Sequence, residues 1–437
     1  MAFLGVCVGN FLVLLDTSIL NVALPDVRDS LHAEQSQLPW TLVAYTIVFA
    51  GLLLAAGAVA DRFGARRLYR GSLALFAAMS LLCAAAPTIG WLIAGRALLG
   101  VAAAGMVPSS LALLAGLYPD AAQRGRAIGT WAAVTSSGLL AGPLLGGLLV
   151  TAGGWRLVFL VNPPIALVSF VLARRFANTV PPKVRPLDVP GIALSIVVLA
   201  GLTFGFIDGG TNGWGKIAPI AAVAGSAFAL AALVFVERRV KHPVLPTALV
   251  RNPAVRTDVL AAACATLVFY GILFSLTLWY ESERGFTPLQ IGLAFVPMTL
   301  PMCLLPMVTG RLLARFGAPR LITFGLTCDV LAGVLISFVG VDSPLVWIVV
   351  AEIALVLAST TAIPAATAHV AITAPQAYAG SAQGALNAGR QAGSALGVAI
   401  LGPLASSLHS VGVTLAGLSL IVLALSVRRH GRQPSSA

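Results

Sequence analysis

The sequence carries little charge: of its 437 residues, 58% are hydrophobic and only 10% are Asp, Glu, Lys or Arg. Soluble globular domains carry roughly 25% charged residues. Together with long apolar runs, so low a charge indicates a polytopic membrane protein. In a soluble chain, the net charge of +12 would suggest a nucleic-acid partner. The positions of Lys and Arg relative to the apolar runs decide between these interpretations.

Residue patterns that support enzymatic or metal chemistry are also missing. The five cysteines lie inside apolar stretches and form no CxxC pair, which predicts neither disulfides nor a metal site. The five histidines are scattered, and there is no Walker loop, so ATP is not the predicted energy source. The Gly-rich segment 209–215 follows an apolar run and is predicted to be a turn. We therefore predict no cofactor, no metal and no enzymatic activity.

Apolar runs of about 20 residues, the length that crosses a bilayer, recur along the whole chain. The first begins next to Met1 with no basic segment before it, which predicts a membrane span and no cleavable signal. Fourteen spans with short connections are predicted, at 2–24, 38–60, 69–87, 89–117, 126–152, 157–173, 189–207, 215–236, 256–280, 289–313, 320–340, 344–371, 380–406 and 411–427.

Basic residues are distributed unevenly between the two sides of these predicted spans. Of the 27 Lys and Arg residues, two lie deep within spans, four lie in or next to one set of connections, and the other 21 lie in or next to the opposite set or in the C-terminal tail. The two are Arg96 and Arg390, and the four are Arg28, Arg156, Lys216 and Arg284. Because cytoplasmic loops are enriched in Lys and Arg, both termini are predicted to be cytoplasmic. The same distribution explains the basic charge without a nucleic-acid partner.

A sequence repeat relates the two halves of the chain. GAVADRFGARR at 57–67 and GRLLARFGAPR at 310–320 share Gly, Arg-Phe-Gly-Ala and a final Arg in the same register, 253 residues apart. A second echo is the Gly-Pro pair at Gly142 and again at Gly402. Repeated helical halves of this kind are typical of transporters that alternate between two openings, with the substrate site between the halves near the midplane.

Five motifs carry a resemblance to a known family. They are LDTSILNVALP (15–25), GAVADRFGARR (57–67), RALLGVAAAG (96–105), GLLAGPLLGG (138–147) and NAGRQAGS (387–394). In this order and on these spans, they resemble the motifs of the major facilitator superfamily, specifically its branch of fourteen-helix drug:proton antiporters. Within the branch, the chain is similar to actinomycete antibiotic-resistance exporters of the methylenomycin type. The loop motif departs from the family pattern at Ala65, where a basic residue is usual.

The resemblance implies an all-α polytopic membrane protein with the major-facilitator fold and 14 transmembrane helices. Residues 1–175 would form an N-terminal six-helix bundle and residues 251–437 a C-terminal one. Residues 176–250 would form a linker with two extra transmembrane helices. The implied location is the plasma membrane of a bacterium.

An aspartate inside the first span is the leading functional candidate, because an ionised carboxylate in hydrocarbon is costly. At 1.5 Å per helical residue, Asp16 lies roughly 12 Å and Arg96 roughly 10 Å below the outer ends of spans 1 and 4, which line the cavity in the resembled fold. The pair could be a fixed ion pair that aligns two helices. We favour proton coupling, in which Asp16 binds a proton when Arg96 withdraws and releases it when Arg96 returns.

Three further acidic residues lie in the predicted spans. Glu352 lies in span 12, the repeat partner of span 4, and is predicted to face the cavity, where it could attract a cationic substrate, carry a proton, or both. Asp329 in span 11 is predicted to be peripheral, as a packing or helix-end residue. Asp258, at the cytosolic end of span 9, is predicted to be a gate or interface charge.

The remaining candidates fall into three groups by their position. A loop glycine and its charged neighbours predict either a positive-inside turn or a cytosolic gate in which Asp61 pairs with a helix end and the arginines bind acidic partners or lipid headgroups. The gate group is Gly57, Asp61, Arg62, Gly64 and Arg67. Small residues of span 5 predict close helix packing, at Gly138, Gly142, Pro143, Gly146 and Gly147. Substrate-cavity candidates, with aromatic rings that suit amphipathic ligands, are Asn21, Trp40, Tyr45, Phe269, Tyr270, Phe274, Asn387 and Arg390.

These observations predict a proton-coupled antiporter that exports small amphipathic compounds, such as drugs or antibiotics, by alternating access. Two alternatives stay open: a proton-coupled importer on the same fold, and a lipid transporter or flippase. The expected partners are the substrate, which Glu352 would allow to be cationic, protons and membrane lipids, with no nucleic acid. The chain is expected to act as a monomer.

Overall fold

The structure is a computed structural model of the chain. It describes residues 2–118, 120–173, 188–240, 249, 251–375 and 379–430. The described residues are predominantly helical and contain no strand, which confirms the predicted all-α class. The predicted bundle boundaries at residues 175 and 250 lie outside the described residues.

Seventeen α-helices and one short 3-10 helix lie in the described part of the chain. The first nine are α1 (Ala2–Leu31), α2 (Leu38–Phe63), α3 (Ala65–Ala84), α4 (Ile89–Leu117), α5 (Ala121–Gly153), α6 (Arg156–Leu160), α7 (Asn162–Leu172), α8 (Val189–Asn212) and α9 (Ile217–Glu237). The others are α10 (Pro253–Ser282), α11 (Pro288–Ala294), α12 (Val296–Leu304), α13 (Pro306–Phe316), α14 (Ala318–Ser337), α15 (Leu345–Thr373), α16 (Ala379–Leu401), the 3-10 helix (Gly402–Leu404) and α17 (Leu408–His430).

Every predicted span overlaps one of these helices or a run of consecutive helices. Within the residues that the structure describes, nine helices are long and apolar enough to cross a membrane: α1, α4, α5, α8, α9, α10, α14, α15 and α17. The chain is therefore a multi-pass membrane protein. The number of fourteen crossings stays a prediction.

Two compact units divide the helices. One unit comprises Met1–Ala200 and Gly285–Val296, and the other comprises Gly201–Arg284 and Pro297–Ala437. In the first unit, α1 packs against α5 and α7, while α4 packs against α2 and α3. In the second unit, α10 packs against α16 and α15, while α14 packs against α15 and α17.

Prolines coincide with several helix breaks inside predicted spans. Span 157–173 divides into α6 and α7 at Val161, and α7 carries prolines in its first turn. Span 289–313 divides into three helices, with Pro306 in the first turn of α13. Proline lacks an N–H and is best accommodated in a first helical turn. Pro143, in contrast, lies inside the continuous helix α5, whereas its echo Pro403 lies in the 3-10 helix.

The two copies of the repeated loop adopt the same turn. Gly64 joins α2 to α3 with φ +88°, and Gly317 joins α13 to α14 with φ +79°. L-residues rarely adopt this left-handed region, so glycine is required. Each glycine N–H donates to a carbonyl of the preceding turn, on Ala60 and Leu313 respectively. The sequence repeat thus corresponds to a repeated backbone conformation.

Glycines of α5 allow close contact with α1. A Cβ at Gly138 would lie against the Phe11 carbonyl oxygen and 2.9 Å from the Leu15 backbone nitrogen. A Cβ at Gly142 would lie against Ser18, and one at Gly146 would lie 2.7 Å from the Ile19 carbonyl oxygen. Gly147 packs instead against Pro288 and Leu289 of α11, in the same compact unit. This face of α5 is therefore a packing surface of the kind that small residues provide.

We expect Gly138→Ala to destabilise the protein, because its Cβ would overlap backbone atoms of α1 that cannot move independently. Overpacking of this kind costs about 1–3 kcal/mol. The thermal midpoint of the purified protein in detergent should fall. The matched control is Gly225→Ala in α9, where a Cβ has nothing within 4 Å, and its midpoint should stay equal or rise. Equal midpoints for the two variants would contradict the packing role.

Candidate functional site

A buried ion pair joins α1 and α4 inside the first unit. Arg96 Nη1 lies 2.5 Å from Asp16 Oδ2, and 1% of each side chain is exposed. Both helices have the length and composition of membrane spans. The structure thus brings together the two residues whose matching depths suggested contact. At this distance the two groups form a charge-assisted hydrogen bond.

The second carboxylate oxygen of Asp16 has its own donor. Asn162 Nδ2 lies 2.9 Å from Asp16 Oδ1 and 3.2 Å from Ser80 Oγ. Asn162 begins α7, where two prolines follow it and start a new helix. The break therefore places an amide beside the carboxylate. Both oxygens of Asp16 are bonded, so the carboxylate is well stabilised in the arrangement seen here.

Arg96 is held by α2 as well as by Asp16. Its Nε donates to the Thr41 carbonyl oxygen at 2.8 Å. Its Cζ lies 4.5 Å from the centroid of the Tyr45 ring, a cation–π distance. Tyr45, a predicted cavity residue, is buried and contacts the ion pair directly. We name the set Asp16, Arg96, Asn162, Tyr45 and the Thr41 carbonyl the charge network.

Sequence reasoning missed Asn162, Ser80 and Thr41. Each is a small polar residue within or beside an apolar run and looks like ordinary helix packing. The available signal was Asn162, an amide inside a predicted span directly before two prolines. Polar residues inside spans are rare and usually face protein or a polar pathway.

Two membrane acids of the second unit, Glu352 and Asp329, differ from Asp16, because they have no hydrogen-bond partner among the described residues. Both carboxyl oxygens of Glu352 in α15 and of Asp329 in α14 are buried in this way. Tyr280 of α10 lies within electrostatic range of Glu352. Asp329 lies in the middle of α14, so the prediction of a helix-end role is wrong. It lies near Cys264, whose sulfur is 3.8 Å from Ser419 Oγ.

Asp258 takes part in a hydrogen-bonded pair that links α10 to α15. Its Oδ2 lies 2.7 Å from His369 Nδ1, and Asp258 is fully buried. The pair lies within one compact unit. The predicted role of Asp258 as a gate or interface charge stays a prediction.

Arg390 and its neighbours lie on α16 and α10. Arg390 Nη1 is 3.4 Å from Asn387 Oδ1, a long hydrogen bond, and Tyr270 lies within electrostatic range of Arg390. All three side chains are partly exposed. Phe269 and Phe274 are buried instead. Phe269 meets the Tyr270 ring edge-to-face at 5.2 Å between centroids, and a Cβ on Gly402 would lie 2.8 Å from the Phe274 ring.

The other two cavity candidates lie on the first two helices. Asn21 is buried and donates to the carbonyl oxygens of Thr17 and Ser18 in its own helix. Trp40 is partly exposed near the start of α2. The hydrogen bonds of Asn21 stay within α1 and do not involve Asp16 or Arg96. Their predicted role in substrate binding stays a prediction.

The loop between α2 and α3 is described only in part. Gly57 and Asp61 belong to α2, and the Asp61 side chain lies outside what the structure describes. Arg62 is exposed, with its Cζ 5.4 Å from the centroid of the Phe63 ring. A surface cavity of about 470 Å³ adjoins this loop, lined by Arg66, Arg67, Arg70, Gly71, Ala74 and Phe170. Arg70 stacks on Phe170 at 4.5 Å.

Metal chemistry finds no support in the side chains that the structure describes. Within those residues, no group of three or more His, Cys, Asp or Glu side chains is arranged to hold a metal ion. The four cysteines recorded there, Cys7, Cys83, Cys264 and Cys328, are buried and free. What the described site offers is the pairing of charged side chains within membrane helices.

The chain has multiple apolar helices, a repeated turn and charged side chains buried within its predicted spans. These features define a multi-pass membrane protein. Residues 6–398 match the Major Facilitator Superfamily, and the chain belongs to this family. It is 36% identical over 424 residues to the methylenomycin A resistance protein of Streptomyces coelicolor, covering 96% of this chain and 88% of that protein. It is 34% identical over 439 residues to the cephamycin export protein CmcT of Amycolatopsis lactamdurans, covering 96% and 90%.

Similarity to solved structures supports the fold. The chain resembles the peptide transporter POT in complex with sulfate, with a TM-score of 0.74 and 16% identity, over 98% of this chain and 94% of that one. It also resembles a variant of the nucleoside transporter NupG, with a TM-score of 0.67 and 13% identity, over 98% and 99%. At these identities the likeness shows the fold alone. The predicted major-facilitator fold is confirmed, and so is the predicted resemblance to methylenomycin-type resistance proteins.

Proposed function

We propose that this protein is a proton-coupled antiporter that exports small amphipathic compounds, of the drug or antibiotic kind, across a bacterial plasma membrane by alternating access. The observation that carries the proposal is the Asp16–Arg96 pair, a carboxylate and a guanidinium 2.5 Å apart inside two membrane helices. The names of the relatives, methylenomycin A resistance protein and cephamycin export protein, support an antibiotic as substrate.

Proton coupling follows from the physics of the pair. While Arg96 lies beside Asp16, the ionised carboxylate is favoured. If a rearrangement of α1 relative to α4 draws the guanidinium away, the carboxylate is left in a medium of low dielectric and binds a proton. The return of Arg96 expels that proton. Proton entry at one side and release at the other would drive the substrate in the opposite direction.

Orientation and partners belong to the same proposal. The excess of Lys and Arg on one side supports cytoplasmic termini. The basic cavity at Arg66, Arg67 and Arg70 supports contact with anionic lipid headgroups of the inner leaflet. Substrate contacts are proposed for the partly exposed residues Tyr270 and Asn387, and the chain is proposed to act as a monomer that needs no cofactor.

The direction of transport separates the proposal from its alternatives. Inverted membrane vesicles that contain the protein are given an inward-acidic pH gradient, and a panel of antibiotics and dyes is added outside. An exporter that exchanges substrate for protons should collapse the gradient when a substrate is added, and the substrate should accumulate inside. A symporting importer should instead transport only in vesicles of the opposite orientation. Movement of fluorescent phospholipid alone would support a flippase.

Glu352→Gln is expected to weaken export of cationic compounds several-fold and to spare neutral ones. The reason is that a buried carboxyl without a described partner is free to bind a substrate cation, and the amide removes that charge while preserving shape. Initial export rates for matched cationic and neutral dyes measure the effect. Glu283→Gln, which changes an exposed carboxyl, is the control. Equal losses for both dye classes would assign Glu352 to proton coupling instead.

A further inference from the structure

Arg390 is a membrane arginine without a counter-charge in the described part of the chain. It lies inside α16, and its Nε is buried with no hydrogen-bond partner. Its nearest polar contact is the 3.4 Å bond to Asn387. No carboxylate among the described residues lies within the 4.0 Å that defines an ion pair with Arg390. An arginine at such a position is costly, and pairing normally offsets that cost.

Arg96 shows what a paired membrane arginine looks like in this same protein. It bonds to a carboxylate, a backbone carbonyl and an aromatic face, and it is fully buried. Arg390 has only the amide of Asn387 and the neighbouring Tyr270. The acids of its own unit do not pair with it: Asp258 bonds to His369, and the oxygens of Glu352 and Asp329 have no described partner.

The position of Arg390 is fixed by close packing of α16 on α10. Cβ atoms at Gly389, Gly393 and Gly397 would meet Val259, Ala263 and Leu267, the last two through backbone atoms. These contacts, repeated at each turn, leave α16 little freedom to slide. Arg390, Asn387 and Tyr270 nevertheless keep part of their surface exposed. Close packing thus fixes the backbone that carries Arg390, while part of the residue's surface stays exposed.

We propose that Arg390, with Asn387 and Tyr270, binds an anionic group of the transported substrate, in the first place a carboxylate. A guanidinium offers two parallel N–H donors that match the two oxygens of a carboxylate. Asn387 Nδ2 donates one N–H to the Gln383 carbonyl oxygen, and its second N–H and the Tyr270 hydroxyl are further donors. The substrate would thereby provide the counter-charge that the chain does not. This proposal rests on the proposed export function and specifies its substrate class.

The test compares an acid with its neutral ester on the purified protein in detergent. Dansyl-leucine is a small amphipathic carboxylate, and dansyl-leucine methyl ester has the same shape without the charge. We expect the wild type to bind the acid at least about tenfold more tightly than the ester, as charge-assisted bidentate bonds imply. Arg390→Gln should remove this preference by weakening the acid alone, and Arg390→Lys should retain part of it.

Controls separate the outcomes. Arg320→Gln removes an exposed arginine of the same unit and should leave the preference unchanged. Sodium phosphate and phosphatidylglycerol, added in turn as competitors, show whether a free anion or a lipid headgroup occupies the position instead. A wild type that binds acid and ester equally, or binds neither, overturns the proposal even if Arg390→Gln fails to fold. A preference for the acid that survives Arg390→Gln also overturns the proposal. So does binding of phosphatidylglycerol by a wild type that shows no preference for the acid over the ester.

Failure of this proposal is distinguishable from failure of the export function. A wild type that exports a cationic dye under a pH gradient but shows no acid preference keeps the antiporter proposal and loses the anion site. A wild type that exports no compound of the panel loses the antiporter proposal, whatever it binds in detergent.

Discussion

Asp16→Asn is expected to abolish export driven by a pH gradient while leaving the protein folded. The amide has the size of the carboxyl group, and its oxygen can still accept from Arg96. Its NH2 group can donate to Asn162 once the Asn162 amide turns over to present its oxygen, so the packing of α1, α4 and α7 should persist. It cannot ionise, so it can neither bind nor release a transported proton. The uncompensated Arg96 charge is a cost that thermal melting will register as a lower midpoint. Substrate binding should remain measurable.

Substrate-induced proton release from the purified protein is the decisive measurement. Addition of a transported compound to weakly buffered wild-type protein should release protons, and Asp16→Asn should release none. Asp29→Asn, which alters an exposed carboxylate on the same helix, should behave as the wild type does. If Asp16→Asn releases as many protons as the wild type, Asp16 only aligns α1 with α4. Glu352 then becomes the leading proton carrier.

The two compact units treat their membrane charges differently. In the first unit, Asp16 and Arg96 neutralise each other and have further partners. In the second unit, Glu352, Asp329 and Arg390 have neither a carboxylate nor a cation within bonding distance among the described residues. The charges of Asp16 and Arg96 are neutralised within the chain, whereas a buried ionisable side chain without such a partner is costly in a membrane helix and would gain from a partner that approaches it. This division suits coupling in one unit and recognition in the other.

Sequence reasoning reached the ion pair because depth along a helix is a one-dimensional quantity. Asp16 and Arg96 lie at similar distances from the outer ends of their spans, and helices of a bundle run roughly side by side. Depth does not tell which face of each helix points toward its neighbour, and the sequence does not show this either, because α1 and α4 are apolar on most faces. For the same reason, Asn162 could not be identified as the second partner of Asp16.

The fold was predictable where composition or steric rules apply. Each predicted span overlaps an observed helix or a run of consecutive helices, and the repeated Arg-Phe-Gly-Ala sequence corresponds to two glycines with positive φ. Helix breaks at Val161 and before Pro306 were not predicted, although the prolines were visible, because hydropathy continues across them. Asp329 is fully buried, which agrees with the packing alternative predicted for it, and lies mid-helix, which excludes the helix-end alternative.

Arg96→Lys is expected to lower the export rate at least about tenfold, because a point ammonium cannot reproduce a planar fork. Arg96 bonds to Asp16 and to the Thr41 carbonyl through different nitrogens, and its plane lies over the Tyr45 ring. Lysine can keep one of these contacts at a time. The matched control is Arg156→Lys, since Arg156 also stacks on an aromatic ring and bonds to a carbonyl but contacts no carboxylate. Its export rate should stay within about twofold of the wild type.

A double-mutant cycle tests whether Asp16 and Arg96 are energetically coupled through their direct contact. Removing one partner of a buried pair costs about 3–5 kcal/mol, because the other charge is left unpaired. Arg96→Gln should therefore lower the thermal midpoint strongly, and adding Asp16→Asn should recover part of the loss. The contacts of Arg96 with Thr41 and Tyr45 are lost in Arg96→Gln and in the double variant alike. The recovered part of the thermal midpoint therefore reports the Asp16–Arg96 pair alone. Additive losses would mean that the two charges are not coupled, and Arg96 could then not control the proton on Asp16.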